Sequence, residues 1–125
     1  LPDVKGKSIS LSSLKGKVVL VDFWASWCAP CRKKVPDIKK TYAKYQSKGF
    51  EIYGLSLDDD ASSWKQALKE DRISWIQVND AKGDIAGMWG VNYIPSVFLI
   101  DKTGKVIAIN PSIEELNALL QKLLG

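Results

Sequence analysis

Apolar residues along the chain recur in two different periods, and together these periods predict alternating strands and helices. The segment 18–24 is almost continuously apolar, which is typical of a strand buried on both faces of a sheet. Asp22 is the exception inside it. Further strands are predicted over residues 50–57, 74–78, 96–100 and 105–109, with a four-residue turn at 101–104 joining the last two as an antiparallel pair.

The segment 29–48 changes to helical periodicity. Lysines fill much of this segment, and apolar or aromatic residues recur at steps of three and four at Val35, Ile38, Tyr42 and Tyr45. Pro30 suits a first helical turn, where a missing N–H group is harmless. Pro36 lies inside the helix, so we expect a kink there.

Three more helices complete the predicted order of elements. Two short ones are expected at 61–71 and 85–89. The last helix is the clearest, because Ser112 and Glu115 form a capping box ahead of a leucine-rich stripe. A short hairpin over residues 3–11, with its turn at Lys5-Gly6, is expected before the first strand.

This order predicts the α/β class, with one central mixed sheet and helices on both faces. The sheet should be parallel in its first half and antiparallel at the final hairpin. A length of 125 residues suits a single domain spanning 1–125. The chain begins at Leu1 and not at Met, so we expect it to be trimmed from a longer precursor.

Composition and charge exclude several function classes. The net charge of +4 comes from scattered cations that form no basic stripe with interleaved aromatics, so nucleic-acid binding is not predicted. No apolar run approaches the roughly 20 residues of a membrane span. The absence of His excludes Cys–His catalysis, Ser–His–Asp triads and His-ligated zinc.

The candidate chemistry lies at Cys28 and Cys31, where the buried strand ends and a helix begins. Unpaired N–H groups at a helix start favour the thiolate, which is the nucleophile in disulfide exchange. Cys28 is placed to feel this effect most, and Cys31 lies one turn deeper. We therefore expect Cys28 to attack a substrate disulfide and Cys31 to resolve the mixed disulfide. The alternatives are an inert structural disulfide, half of a zinc site and unreactive buried thiols.

The segment 21–31, with the sequence VDFWASWCAPC, resembles the active-site stretch of thioredoxin-fold proteins. Pro36 falls where that family kinks its active-site helix, and Ile94-Pro95 falls where it has a cis-proline. The opening residues 1–17 and an extra segment at 57–84 are similar to the TlpA-like and ResA-like thiol–disulfide oxidoreductases. The resemblance therefore implies a thioredoxin fold with an inserted helix–strand segment.

The resemblance also implies roles for individual residues. Asp22 matches the buried acid of thioredoxins, and burial should raise its pKa so that it can take the proton from Cys31, through a water. Gly54 falls where plain thioredoxins place a lysine near that acid. The backbone of Ile94 is expected to pair with the substrate chain. The expected substrate-contact residues are Trp27, Ala29, Pro30, Ile94 and Pro95, and Tyr93 is a further candidate for the same groove.

The function implied is the reduction of protein disulfides, with no metal or organic cofactor because the Cys28–Cys31 pair is the redox centre. Electrons would come from an upstream partner such as a membrane thiol–disulfide transporter. The similarity to TlpA-like and ResA-like proteins implies a periplasmic or extracytoplasmic location and a full-length form that can be membrane-anchored. We also expect a monomer. The alternatives are a cytoplasmic location, a disulfide oxidant or isomerase of the same fold, a peroxidase, and a non-catalytic binding module. The Thr-x-x-Cys arrangement of peroxidases is absent before Cys28.

Overall fold

Five strands form one mixed sheet in the computed structural model, which describes residues 1–125. The strands lie in the order β3-β2-β1-β4-β5, so β1 is central. β1 pairs in parallel with β2, and β2 with β3, whereas β4 is antiparallel to both β1 and β5. The predicted mixed sheet is therefore confirmed. The strand bounds are Val18–Trp24 (β1), Phe50–Ser56 (β2), Ile76–Asn79 (β3), Ser96–Ile100 (β4) and Val106–Ile109 (β5).

Five α-helices and two short 3-10 helices surround the sheet. The α-helices are Ala29–Lys33 (α1), Val35–Tyr45 (α2), Ala61–Glu70 (α3), Asp84–Met88 (α4) and Ile113–Leu124 (α5), and the 3-10 helices are Leu11–Leu14 and Gln46–Lys48. None of the helices combines the length and the hydropathy that crossing a bilayer would require.

Alternation along β1 divides the core between the two faces of the sheet. Val18 and Leu20 point toward α2 and α5, where they pack with Leu116 and Leu120. Val21 and Phe23 point to the other face and pack with residues that include Leu14 and Ala86 of α4. Helices therefore cover both faces, as the sequence predicts.

The long predicted helix at 29–48 is divided into α1 and α2. Lys34 separates the two helices, and Pro36 lies in the first turn of α2. Proline cannot donate a backbone hydrogen bond to the preceding turn, so the ladder is interrupted where the sequence predicts a kink. As a result α1 is a short helix of five residues that begins beside Cys28 and contains Cys31, while α2 packs on the core.

The N-terminal hairpin is smaller than predicted. It consists of one antiparallel bridge between Pro2 and Ser8, closed by a turn in which Gly6 has a φ of 81°. Leu11 lies in a 3-10 helix and not in a strand. The carbonyl of Pro2 accepts a hydrogen bond of 3.0 Å from the N–H of Asn79, so the hairpin is attached at the end of β3.

The capping box of α5 is present as predicted. The hydroxyl of Ser112 accepts from the N–H of Glu115, and the Glu115 carboxylate accepts from the N–H of Ser112. By contrast, β3 begins at Ile76, two residues later than predicted, and extends to Asn79. Ladder pairing with β2 starts at Ile76, so Trp75 is buried in the core without belonging to the ladder.

Candidate active site

The two cysteines lie at the carboxyl end of the central strand. β1 ends at Trp24, a tight turn follows in which the N–H of Cys28 donates to the carbonyl of Ala25, and α1 begins at Ala29. Cys28 is the N-cap residue of α1, and Cys31 lies inside the helix. They form a disulfide, with their Cα atoms 5.3 Å apart.

Helix position, and not exposure, distinguishes the two cysteines. Cys28 is 4% exposed and Cys31 is 7% exposed, so both are buried in this oxidised state. The Sγ atom of Cys28 accepts a hydrogen bond of 3.2 Å from the N–H of Cys31. The same N–H group can stabilise a thiolate on Cys28 after reduction, as expected at a helix start.

Asp22 lies on β1 between Gly54 of β2 and Val97 of β4. It shares its sheet face with Leu20 and Trp24, because alternate residues of a strand point the same way. Burial raises the pKa of its carboxyl group from 3.8 to about 7, and the positive charge of Lys34 partly opposes this rise. Near neutral pH this carboxyl can therefore both accept and return a proton.

Lys34 is one of several lysines in the helix predicted over residues 29–48, and nothing in the sequence distinguishes it from the others. Its position between α1 and α2 nevertheless makes it the cation that acts on Asp22. Gly54 lies directly opposite Asp22, as the sequence predicts, and carries no charge.

The space beside Gly54 is filled by Gln77 of β3. The indole N–H of Trp24 donates a buried hydrogen bond of 2.9 Å to the Gln77 side-chain oxygen. A Cβ atom on Gly54 would overlap the Gln77 amide. A side chain at position 54 would therefore require the Gln77 amide to move from its hydrogen bond with Trp24, and the backbone angles of Gly54 do not themselves require glycine.

A surface cleft of about 360 Å³ lies beside the cysteines. It is lined by Trp27, Leu57, Val91, Asn92, Tyr93 and Ile94. Trp27 is 70% exposed and Tyr93 is 68% exposed, whereas Ile94 also packs against the cluster that contains both cysteines. The cleft is therefore a largely apolar surface that reaches the cysteine-containing cluster through Ile94.

The structure brings together some of the expected substrate-contact residues and separates others. Trp27 and Ile94 share the cleft. Ala29 and Pro30 are exposed on the first turn of α1. Pro95 is not a wall of the cleft; it follows Ile94 through a cis peptide bond.

A buried carboxylate that sequence reasoning missed lies behind the active-site turn. Asp58 is 2% exposed, and its oxygens accept from the N–H of Ser26 at 3.0 and 3.1 Å and from the Ser26 hydroxyl at 2.5 Å. The Ser56 hydroxyl donates to the same carboxylate at 2.6 Å. The only signal for it in the sequence is a run of three aspartates, residues 58–60, directly before the predicted helix at 61–71. Asp60 does cap α3, but Asp58 does not.

Arg32 of α1 forms the second missed interaction. Its guanidinium group donates to both oxygens of Asp71, at 2.8 and 3.0 Å, and to Glu70 at 2.9 Å. These acids raise the pKa of Arg32 above its already high value. A further N–H of Arg32 donates to the carbonyl of Ser26 at 3.3 Å.

No three Cys, Asp or Glu side chains lie together in a group that could hold a metal ion. The disulfide itself is the redox-active group of the site. Its two thiols, when reduced, can exchange with another disulfide without any added cofactor.

Comparison with known proteins identifies the family. The Redoxin family profile matches residues 1–121. The chain is 38% identical to a thiol-disulfide oxidoreductase ResA of Bacillus cereus, over 97% of this chain and 72% of that protein. It is 33% identical to ResA of Bacillus subtilis, over 87% of this chain and 61% of that protein.

Solved structures agree with these relatives. The thioredoxin domain of a thiol-disulfide oxidoreductase from Bacteroides vulgatus superposes with a TM-score of 0.92 at 38% identity, covering 99% of this chain and 91% of that one. A thiol:disulfide interchange protein from Bacteroides sp. gives a TM-score of 0.90 at 39% identity, covering 98% and 83%. With its redox-active Cys28–Cys31 pair on a thioredoxin fold, the chain belongs to the Redoxin family and is a ResA-like thiol–disulfide oxidoreductase.

Proposed function

We propose that this chain reduces disulfide bonds of protein substrates through Cys28 and Cys31. The observation that carries the proposal is the position of Cys28 as the N-cap of α1, where its sulfur accepts the N–H of Cys31 at 3.2 Å. This arrangement stabilises negative charge on Cys28 and makes it the attacking thiolate.

The exchange proceeds in two balanced steps. In the first, the Cys28 thiolate attacks one sulfur of the substrate disulfide; a mixed disulfide forms, and the other substrate sulfur leaves as a thiolate that takes up a proton. In the second, the Cys31 sulfur attacks Cys28, the Cys28–Cys31 disulfide forms, and the second substrate sulfur leaves and is protonated. The chain has then given two electrons to the substrate and is itself oxidised.

Asp22 serves the second step as a proton acceptor. The Cys31 thiol must lose its proton before it attacks, and an acid whose pKa is about 7 is suited to accept that proton at neutral pH. Asp22 lies on the sheet face that it shares with Trp24, which packs with both cysteines, and a water molecule would link the two groups. The proton then passes to solvent or to the leaving sulfur.

The substrate lies along the apolar cleft beside the disulfide. Trp27 and Tyr93 form its exposed walls, and Ile94 connects the cleft to the cysteines. The backbone of Ile94, next to Pro95, would pair with an extended substrate chain, and the exposed Ala29 and Pro30 at the start of α1 would contact the same chain where it passes Cys28. This surface favours unfolded segments with apolar residues near their disulfides.

The oxidised site must be reduced again by an upstream dithiol donor. We propose a membrane thiol–disulfide transporter as that donor and an extracytoplasmic location for the chain, both on its similarity to the ResA and interchange proteins. Disulfides persist in such compartments, so a dedicated reductant is needed there.

A trapping experiment tests the order of attack. A Cys31→Ser variant should accumulate a mixed disulfide with a disulfide-containing protein substrate, because the resolving thiol is missing. The matched Cys28→Ser variant should accumulate at least about tenfold less, since Cys31 is inside the helix. Equal trapping by the two variants, measured by non-reducing electrophoresis and mass spectrometry, would overturn the assignment of Cys28.

The redox potential of the wild-type protein tests whether the chain reduces its substrates or oxidises them. Equilibration with glutathione or dithiothreitol, followed by Trp fluorescence, should give a potential well below that of protein disulfide isomerase. A potential above that value would instead assign the chain as an oxidant or isomerase.

A further inference from the structure

The turn that carries Cys28 is fixed by groups outside the cysteine motif. Ser26 is held through all of its polar groups: Asp58 accepts from its N–H and its hydroxyl, and Arg32 donates to its carbonyl. Two residues span at most about 7 Å of chain, so this anchored residue lies close to Cys28.

Asp58, which accepts a hydrogen bond from the N–H of Ser26, is buried and makes several hydrogen bonds. Asp58 is 2% exposed, and its carboxylate receives three charge-assisted hydrogen bonds from the N–H and hydroxyl of Ser26 and the hydroxyl of Ser56. The carbonyl of Asp58 also accepts from the Asn79 side chain at 2.9 Å. Ser56 of β2 therefore holds the carboxylate and Asn79 of β3 holds the backbone of Asp58. A buried charge of this kind is tolerated only where its hydrogen-bond partners are retained.

Arg32, which donates a hydrogen bond to the carbonyl of Ser26, is itself held by acidic residues at the end of α3. Arg32 lies one residue after Cys31, and its guanidinium group is fixed by Asp71 and Glu70 before it reaches Ser26. The fork geometry of the Arg32–Asp71 pair limits the freedom of the Arg32 side chain. Asp58, Glu70 and Asp71 all belong to the inserted segment, residues 57–84.

We propose that Asp58 is a positioning residue for Cys28, and that the inserted segment acts through Ser26 to set the stability of the Cys28–Cys31 disulfide. The inference rests on the proposed dithiol–disulfide exchange and adds a role for a segment that touches neither sulfur through a hydrogen bond.

Asp58 favours the Cys28–Cys31 disulfide over the dithiol in two ways. Holding Ser26 keeps Cys28 at its place beside Cys31, which favours closure of the disulfide over two separated thiols. The negative charge of Asp58 disfavours a nearby thiolate on Cys28, which destabilises the reduced form. Loss of the carboxylate should therefore stabilise the dithiol relative to the disulfide.

The experiment compares Asp58→Asn with Asp59→Asn. Asp59 is the neighbouring acid, is exposed and makes no side-chain hydrogen bond, so its substitution changes the net charge equally. Both variants and the wild type are equilibrated with reduced and oxidised glutathione, and the oxidised fraction is measured by Trp fluorescence and by thiol alkylation with mass spectrometry. Ser26→Ala is the second variant, because it removes one hydroxyl without a change of charge.

The expected result is a loss of about tenfold in the equilibrium constant for oxidation of Asp58→Asn, equivalent to a potential about 30 mV higher. In Ser26→Ala the equilibrium constant for oxidation should fall by about threefold, and in Asp59→Asn it should change by less than about twofold. If Asp58→Asn and Ser26→Ala both match the wild type, the inference is wrong even if their melting temperatures fall. If Asp58→Asn does not fold, the test rests on Ser26→Ala alone: a fall in its equilibrium constant for oxidation supports the inference, and a value equal to that of the wild type contradicts it. A wild-type protein with no reversible transition would overturn the proposed function as well.

Discussion

Substitution of Asp22 by Asn should stabilise the protein at neutral and alkaline pH. The carboxyl group of Asp22 lies within β1 between Gly54 and Val97, and no hydrogen bond contributes to its pKa. Ionisation of a carboxyl group in such surroundings is opposed by the loss of hydration. Asn has nearly the same shape and never ionises, so it removes this cost.

The size of the stabilisation expected for Asp22→Asn follows from the shift in the pKa of Asp22. Its value rises from 3.8 to about 7 in the folded protein, with Lys34 already opposing the rise. Each pKa unit corresponds to about 1.4 kcal/mol, so a difference of about 3 gives about 4 kcal/mol. Between about pH 4 and pH 7 the folded state holds a proton that the unfolded state has released, so the Asp22 contribution to stability falls as pH rises. Above about pH 7 the full cost is present, and below about pH 4 it vanishes.

The assay is urea unfolding of the oxidised wild type and Asp22→Asn at a series of pH values from about 4 to 9. The difference in free energy of unfolding should be small near pH 4, grow through about pH 5 and 6, and level off near ~4 kcal/mol above about pH 7. Taking the difference between two proteins cancels the other titrating groups. Asp59→Asn controls for the change in net charge and should give a small difference that does not follow this profile. A difference for Asp22→Asn that is independent of pH would refute the reasoning.

Three further changes in stability are expected, each measured by urea unfolding at about pH 7. Gly54→Ala should destabilise by about 1–3 kcal/mol, because the added methyl group displaces the Gln77 amide, and Trp fluorescence should change with it. Arg32→Lys should cost about 1 kcal/mol, since lysine cannot reproduce the two-pronged contact with Asp71. Ser112→Ala should cost about 1 kcal/mol through loss of the α5 cap.

Each of these changes has a matched control in the chain. Gly87→Ala adds a methyl group on α4 that meets no atom within 4 Å, so it should not destabilise. Lys33→Gln removes a charge next to Arg32 without breaking a hydrogen bond, and Ser112→Thr retains a capping hydroxyl. A Gly54→Ala variant as stable as the wild type would contradict the close approach of Gln77. An Arg32→Lys variant as stable as the wild type would show that the positive charge, which lysine retains, and not the fork geometry, matters at this contact.

The elements that could be predicted from the sequence are those fixed by local patterns. β1 has its predicted bounds because its apolar run is continuous and a turn follows it directly. The cap of α5 depends on Ser112 and Glu115, which are three residues apart. The break before Pro36 follows from the chemistry of proline alone.

The features that escaped prediction depend on contacts between distant residues. Asp58 bonds to Ser26, 32 residues away in sequence, and nothing local distinguishes it from Asp59. Lys34 acts on Asp22 only because the break between α1 and α2 places it there. The start of β3 is set by its register with β2, so the β-prone Trp75 before it was included wrongly.

The central place of β1 has a consequence for how the protein is made. One neighbour of β1 is β2, but the other is β4, Ser96–Ile100, near the end of the chain. During synthesis Cys28 and Cys31 leave the ribosome well before β4 exists, and a loop with two intervening residues closes without tertiary structure. The nascent thiols are therefore open to oxidation by any small disulfide while Ile94 is still missing. The surface beside Ile94, which we propose to contact protein substrates, forms only when β4 docks against β1.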